Sequence, residues 1–158
     1  MNTLEQKHIT RGREREFALR VLYACELNQD PWSEQLTRLE QSAHIQCTSY
    51  VEQLVSLYHN HKEEIDGEII LLLKNWDLKR VALLDKVVLR MALVELLYFA
   101  EIPPEVSMNE AIELAKKYST EASGKFVNGL VDAVFRKLSA EKRIKKSGRG
   151  LISKLYKP

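Results

Sequence analysis

The sequence predicts an all-α fold, a bundle of six or seven helices over residues 1–140 with a basic tail over 141–158. Three observations lead there. Apolar residues recur at i, i+3, i+4 and i+7 along most of the chain. No segment alternates convincingly with a period of two, so strands find no support. The breaks between periodic segments coincide with prolines, or with residues that cap helices.

The elements follow in order. Phe17, Ala18, Val21, Leu22 and Cys25 form one stripe, which predicts a first helix from about Gly12 to Asn28. The stretch "NQDPW" then supplies a break, with Asp30 as a cap and Pro31 at the first helical position. Leu36, Leu39 and Ala43 mark a short second helix. A third starts near Thr48 or Ser49 and keeps Val51, Leu54, Val55, Tyr58, Ile65, Ile69 and Leu72 in register. It runs either unbroken to about Leu73 or as two abutting pieces, with Gly67 the weak point. Between Val81 and Phe99 the chain is apolar on nearly all sides, which places that helix at the centre of the bundle. Pro103 and Pro104 end it. Ser107 and Glu110 stand at capping-box spacing before Ala111, Ile112, Leu114 and Ala115, and so predict the next helix start. Phe126, Val127, Leu130, Val131, Val134 and Leu138 define the last helix. Gly148 and Gly150 make the basic tail an expected mobile segment.

Composition narrows the function. A chain of 158 residues, 45% hydrophobic and 29% charged, fits one globular domain with a real core. No apolar run approaches the ~20 residues that span a bilayer. The N-terminal "MNTLEQKHITRGR" lacks the apolar middle of a secretory signal, so a cytoplasmic location is expected. Cys25 and Cys47 form no CxxC pair. The net charge of +2 hides an asymmetry: residues 141–158 hold seven Lys/Arg and one acid, while residues 1–140 carry a net −4. Any anion site in the body must come from local clusters.

Little in the sequence suggests catalysis. Of the histidines His8, His44, His59 and His61, the last two sit two apart on a helix, about 200° apart around its axis. They cannot share a metal. There is no HExxH, no glycine-rich phosphate loop and no G-x-S-x-G elbow. Cys25 lies on the apolar stripe, which suits packing rather than nucleophilic attack. No enzyme activity, metal or cofactor is expected.

Two basic clusters stand out. In "RGREREFALRVLY", Arg11, Arg13 and Arg15 sit at a helix start, where the macrodipole already disfavours cations. Arg11 and Arg15 share a side and Arg13 lies roughly opposite. They are either a solvated helix start or the seat of an anion. In "AKKYSTEASGKFVNG", Lys116, Lys117 and Lys125 accompany Tyr118, Phe126 and Asn128 around a helix–helix junction. Cations beside aromatics suit single-stranded RNA, whose bases stack while phosphates pair. The same aromatics would also serve a core. Glu16, Leu19 and Tyr23 lie off the apolar stripe of the first helix. They form either a protein-contact surface or a second core contact.

The blocks "RGREREFALRVLYACEL", "LLDKVVLRMALVEL" and "NEAIELAKKYSTEASGKFVNGLVDAV" together resemble the bacterial NusB family of transcription antitermination proteins. Only the tail after Glu141 falls outside the resemblance. It implies an all-helical fold of two packed helical subdomains. It also implies binding to the boxA element of ribosomal RNA leader transcripts, together with NusE, a small ribosomal protein. That pair joins other Nus factors on RNA polymerase, with no membrane involved. The positions that the resemblance assigns to RNA are Arg11, Arg13, Arg15, Lys116, Lys125 and Phe126. Those it assigns to NusE are Glu16, Tyr23 and Asp85. Family members often carry an acid where this chain has Ala122, and Gly12 stands in what is often, in the family, a continuous arginine run. Two alternatives differ in class. One is a helical protein-interaction module, such as a homodimer, with no RNA ligand. The other is a stand-alone relative of the N-terminal domain of ribosomal RNA cytosine methyltransferases, although the chain leaves no room for a cofactor-binding βαβ sheet.

Overall fold

The computed structural model describes residues 9–74 and 76–153. His8 and residues 154–158 of the tail lie outside the described residues. Six α-helices are present among them: α1 (Arg11–Asn28), α2 (Trp32–Ala43), α3 (Ser49–Leu72), α4 (Leu83–Tyr98), α5 (Pro104–Tyr118) and α6 (Glu121–Ala140). Short 3-10 turns cover Leu78–Arg80 and Gly148–Leu151.

Local chemistry sets most boundaries. The Thr10 hydroxyl accepts from the Arg13 amide at 3.3 Å and starts α1. Thr48 and Thr120 do the same for α3 and α6. Such caps satisfy amides that the helix leaves without partners. Helix α3 runs unbroken through Gly67, which settles the choice between one piece and two.

Two expected starts move. Pro31 itself is the N-cap of α2, because the Asp30 carboxylate is taken by Gln35 at 2.9 Å and Arg38 at 2.7 Å. Helix α5 begins at Pro104, not at a Ser107–Glu110 capping box. A proline suits the first helical position, where no amide is needed. Ser107 is buried inside the helix and donates to Glu95 Oε1 at 3.2 Å.

Helix α4 is the bundle's axis. Residues Val87 to Leu96 are all buried, and the helix packs against α1, α3, α5 and α6. One core joins the α1–α3 half to the α4–α6 half, with Leu22, Leu54 and Ile65 meeting Leu89, Leu93 and Leu138. Each such side chain contributes about 1.5–3 kcal/mol of burial. Within the core Arg90 makes a bidentate pair with Asp66, at 2.7 and 2.9 Å, and also reaches Glu26 and Tyr58. The charge is thus fully partnered where an unpaired one would be costly.

The tail departs from expectation. Instead of detaching after Glu141, residues 144–150 form a strap against the end of α4. Ile144, Lys146 and Gly150 are buried. The Ser147 amide donates to the Ala100 carbonyl at 2.9 Å. A Cβ on Gly150 would collide with that same carbonyl, so only glycine permits this approach. Arg143 pairs with Glu68, Glu64 and Glu141. Of the two glycines that suggested mobility, Gly150 is instead what the docking requires, and Gly148 adopts a left-handed backbone with φ 53°.

Candidate nucleic-acid and partner interface

At the start of α1 the three arginines divide. Arg11 and Arg13 are exposed. The Arg11 guanidinium pairs with Glu14 at 2.7 Å and lies 4.1 Å over the Tyr50 ring. This cation–π contact holds the charge in place without neutralising it. Arg15 corrects the expectation that the whole cluster stands outside the core, for it is only 3% exposed. Its Nε and Nη2 donate to the two Glu95 carboxylate oxygens, each at 2.8 Å. Burial pulls its pKa down, but the Glu95 hydrogen bonds and charge outweigh that, and the net shift is upward. Arg15 is therefore an internal tie between α1 and α4. Burial and a bidentate partner leave it no free donor face for RNA.

The α5–α6 junction keeps its basic character. Lys116 and Lys125 are exposed, and Phe126 is half-buried with one side on the core. The Lys116 stem lies across Gly124, where an added Cβ would come within 2.6 Å of its Cγ. Tyr118 is exposed, with Lys117 Nζ 5.3 Å from its ring centroid. Lys117 also pairs with Glu16 across to α1. That contact was not legible in the sequence. It brings the end of α5 beside the start of α1, about a hundred residues away in the chain.

The residues assigned to a protein partner differ in burial and pairing. Tyr23 is 36% exposed, as its position off the stripe suggests. Leu19 is buried, which decides between the two readings for this residue in favour of a second core contact. Glu16 is occupied by Lys117. Asp85, which the resemblance assigns to NusE, is 5% exposed; its Oδ2 accepts from the Ser123 hydroxyl at 2.9 Å. Its other oxygen, Oδ1, is buried without a hydrogen-bond partner.

Asp85 instead lines a groove of about 710 Å³ with Trp76, Lys125, Phe126 and Leu130. Tyr23 is not among the lining residues. Lys74, Arg80 and Lys125 supply cations there, and Trp76 is 53% exposed. The sequence reading passed over Trp76, Lys74 and Arg80. The signal was present in "KNWDLKR", a tryptophan with cations on both sides.

The Cys25 thiol is not activated as a nucleophile. Burial pushes the Cys25 thiol up to about 11, and Glu26 and Asp30 push the same way. Among the described residues no group of three or more His, Cys, Asp or Glu could hold a metal ion. No helix among them is long and apolar enough to cross a membrane.

Comparisons with known proteins agree with this fold. The model of the NusB family matches residues 12–136. The transcription antitermination protein NusB of Salinibacter ruber is 42% identical over 152 residues, covering 96% of this chain and 86% of the relative. That of Chloroherpeton thalassium is 38% identical over 147 residues, covering 91% of this chain and 70% of the relative. Among solved structures, one chain of a crystal structure of antitermination factors NusB and NusE in complex with double-stranded RNA superposes with a TM-score of 0.72. It is 28% identical, with 82% of this chain and 99% of that chain covered.

Proposed function

This chain belongs to the NusB family, and on that premise we propose that it is a transcription antitermination factor for ribosomal RNA operons. It binds the boxA element of leader transcripts together with the ribosomal protein NusE, and the pair joins other Nus factors on RNA polymerase. It works as a cytoplasmic adaptor rather than as an enzyme.

The observation that carries this reading is the juxtaposition across the Lys117–Glu16 pair. Arg11 and Arg13 belong to the turn of α1 before Glu16, on different sides of that helix, and Lys116, Lys125 and Phe126 belong to the α5–α6 junction around Lys117. Exposed cations flanking a half-buried aromatic can hold an RNA backbone while one base stacks. Arg15 supports the surface from below by fixing α1.

NusE docks on the Trp76–Asp85 part of the groove, leaving Lys125 and Phe126, which also line it, to RNA. A buried carboxylate oxygen without a partner favours an arriving N–H donor, and a basic ribosomal protein offers arginine and lysine. Trp76 provides the aromatic wall that such interfaces favour. Tyr23 forms a separate exposed contact on α1. Titrating the protein with boxA RNA and with a scrambled RNA, each with and without NusE, tests the proposal. Preference for boxA that grows with NusE supports it; equal affinity for both RNAs under both conditions refutes it.

A further inference from the structure

The strap lies outside residues 12–136, the segment matched by the family model, yet it is built into the bundle. Lys146 Nζ donates to the Glu95 carbonyl at 3.1 Å and to the Phe99 carbonyl at 2.9 Å. Both belong to the C-terminal end of α4, where the helix dipole favours a cation. Glu95 is also the residue whose carboxylate gathers three other elements. It accepts from Arg15 of α1 at 2.8 Å twice, from the Tyr50 hydroxyl of α3 at 3.0 Å, and from Ser107 of α5 at 3.2 Å. Tyr50 in turn carries the Arg11 guanidinium on its ring.

We propose that the strap is a clamp that orients the RNA-contacting start of α1, with Lys146 as a positioning residue acting through Glu95. This rests on the reading that Arg11 and Arg13 contact RNA. The physical chain is short. Without the ammonium the last turn of α4 loses the cation on its carbonyls, and helix ends fray first. Glu95 sits in that turn, so its carboxylate loses its fixed direction. Arg15 and Tyr50 then lose a common acceptor, and Arg11 loses its platform. RNA must order the arginine itself, at a cost in affinity rather than in charge.

The neighbouring residues make a clean comparison. Lys145 and Arg149 belong to the same segment, are exposed, and carry the same charge as Lys146. Lys146→Met, Lys146→Arg, Lys145→Ala and Arg149→Ala are compared in the full chain for affinity to boxA RNA and to NusE. Lys146→Met weakens boxA binding about tenfold and leaves NusE affinity and RNA stoichiometry unchanged. Lys146→Arg, which can still donate to both carbonyls, restores it. Lys145→Ala and Arg149→Ala stay within about twofold. Should Lys146→Met fail to fold, Gly150→Ala dislodges the strap from its other anchor with Lys146 intact, and the same RNA-selective loss is expected.

Equal losses in Lys145→Ala, Arg149→Ala and Lys146→Met overturn the clamp, for the tail then acts as bulk charge. So does a parallel loss of RNA and NusE affinity, which marks general destabilisation. Unchanged boxA binding in Lys146→Met overturns the clamp alone. Wild-type protein that ignores boxA overturns the reading beneath it as well.

Discussion

Arg15 and Glu95, 80 positions apart, close two parallel 2.8 Å hydrogen bonds with both side chains 3% exposed. An arginine that reads from sequence as part of an RNA-binding cluster is thus the tie that holds that cluster to the bundle. Its two neighbours remain outside. The division separates side chains that set stability from side chains that are free to bind.

Removing one member of a buried pair leaves the other charge uncompensated, which costs about 3–5 kcal/mol. Arg15→Met is expected to lower unfolding stability by that amount. Arg11→Ala and Arg13→Ala should each stay within about 0.5 kcal/mol of wild type, as exposed substitutions do. Urea denaturation of the three variants checks this. Equal losses at all three positions would contradict the division.

Asp85 calls for a gentle substitution. A lysine there would bury a cation beside Ser123 and confuse binding with folding. Asp85→Asn keeps the volume and removes the charge that faces a basic partner. NusE affinity should fall about tenfold, one charge-assisted hydrogen bond becoming a neutral one. BoxA affinity of the isolated protein and its helical signal should hold. A loss of RNA binding with NusE binding intact would move the groove to the RNA site.

Much of the architecture was legible because helical periodicity reports burial directly. Phe17, Val21 and Leu22 of α1 are buried as their spacing implies, and so is nearly all of α4. What the sequence hid has one physical root. Polar residues carry no periodic signal that separates a solvated charge from a partnered buried one. Arg15, Ser107, Asp85 and Lys146 all lie inside, each satisfied at least in part by a group far away in the chain. Glycine misled for a related reason. At Gly150 the missing side chain serves close approach to Ala100 rather than freedom of movement. The basic clusters were visible, but the contact of Lys117 with Glu16 depends on tertiary packing alone.

Gly67 offers a test of helix α3 itself. It lies mid-helix, exposed, with nothing within 4 Å of an added Cβ. Gly67→Ala should therefore raise stability by about 1 kcal/mol, the difference in helix propensity. A stable α3 in two pieces hinged at this position would instead show no gain on denaturation.

Lys146 gives a pH signature of known sign. Burial, opposed in part by the Glu95 charge, lowers its pKa from 10.5 to about 8. The folded state thus binds fewer protons than the unfolded state between those values, so this group makes stability rise with pH across that window. The benefit is present above about pH 10.5 and lost as pH falls through about 8. Wild type should gain stability relative to Lys146→Met as pH rises from about 8 towards 10.5. Parallel stability curves for the two proteins would show that Lys146 titrates normally.

The most direct test of a single RNA surface built from both clusters is the salt dependence of boxA binding. Each phosphate contact to single-stranded RNA adds about 0.7 to the slope of log affinity against log salt. Replacing Arg11, Arg13 and Lys125 together by alanine should lower affinity and flatten that slope by about two, with stability close to wild type. An unchanged slope in the triple variant would contradict the account, for RNA would then be held elsewhere on the protein.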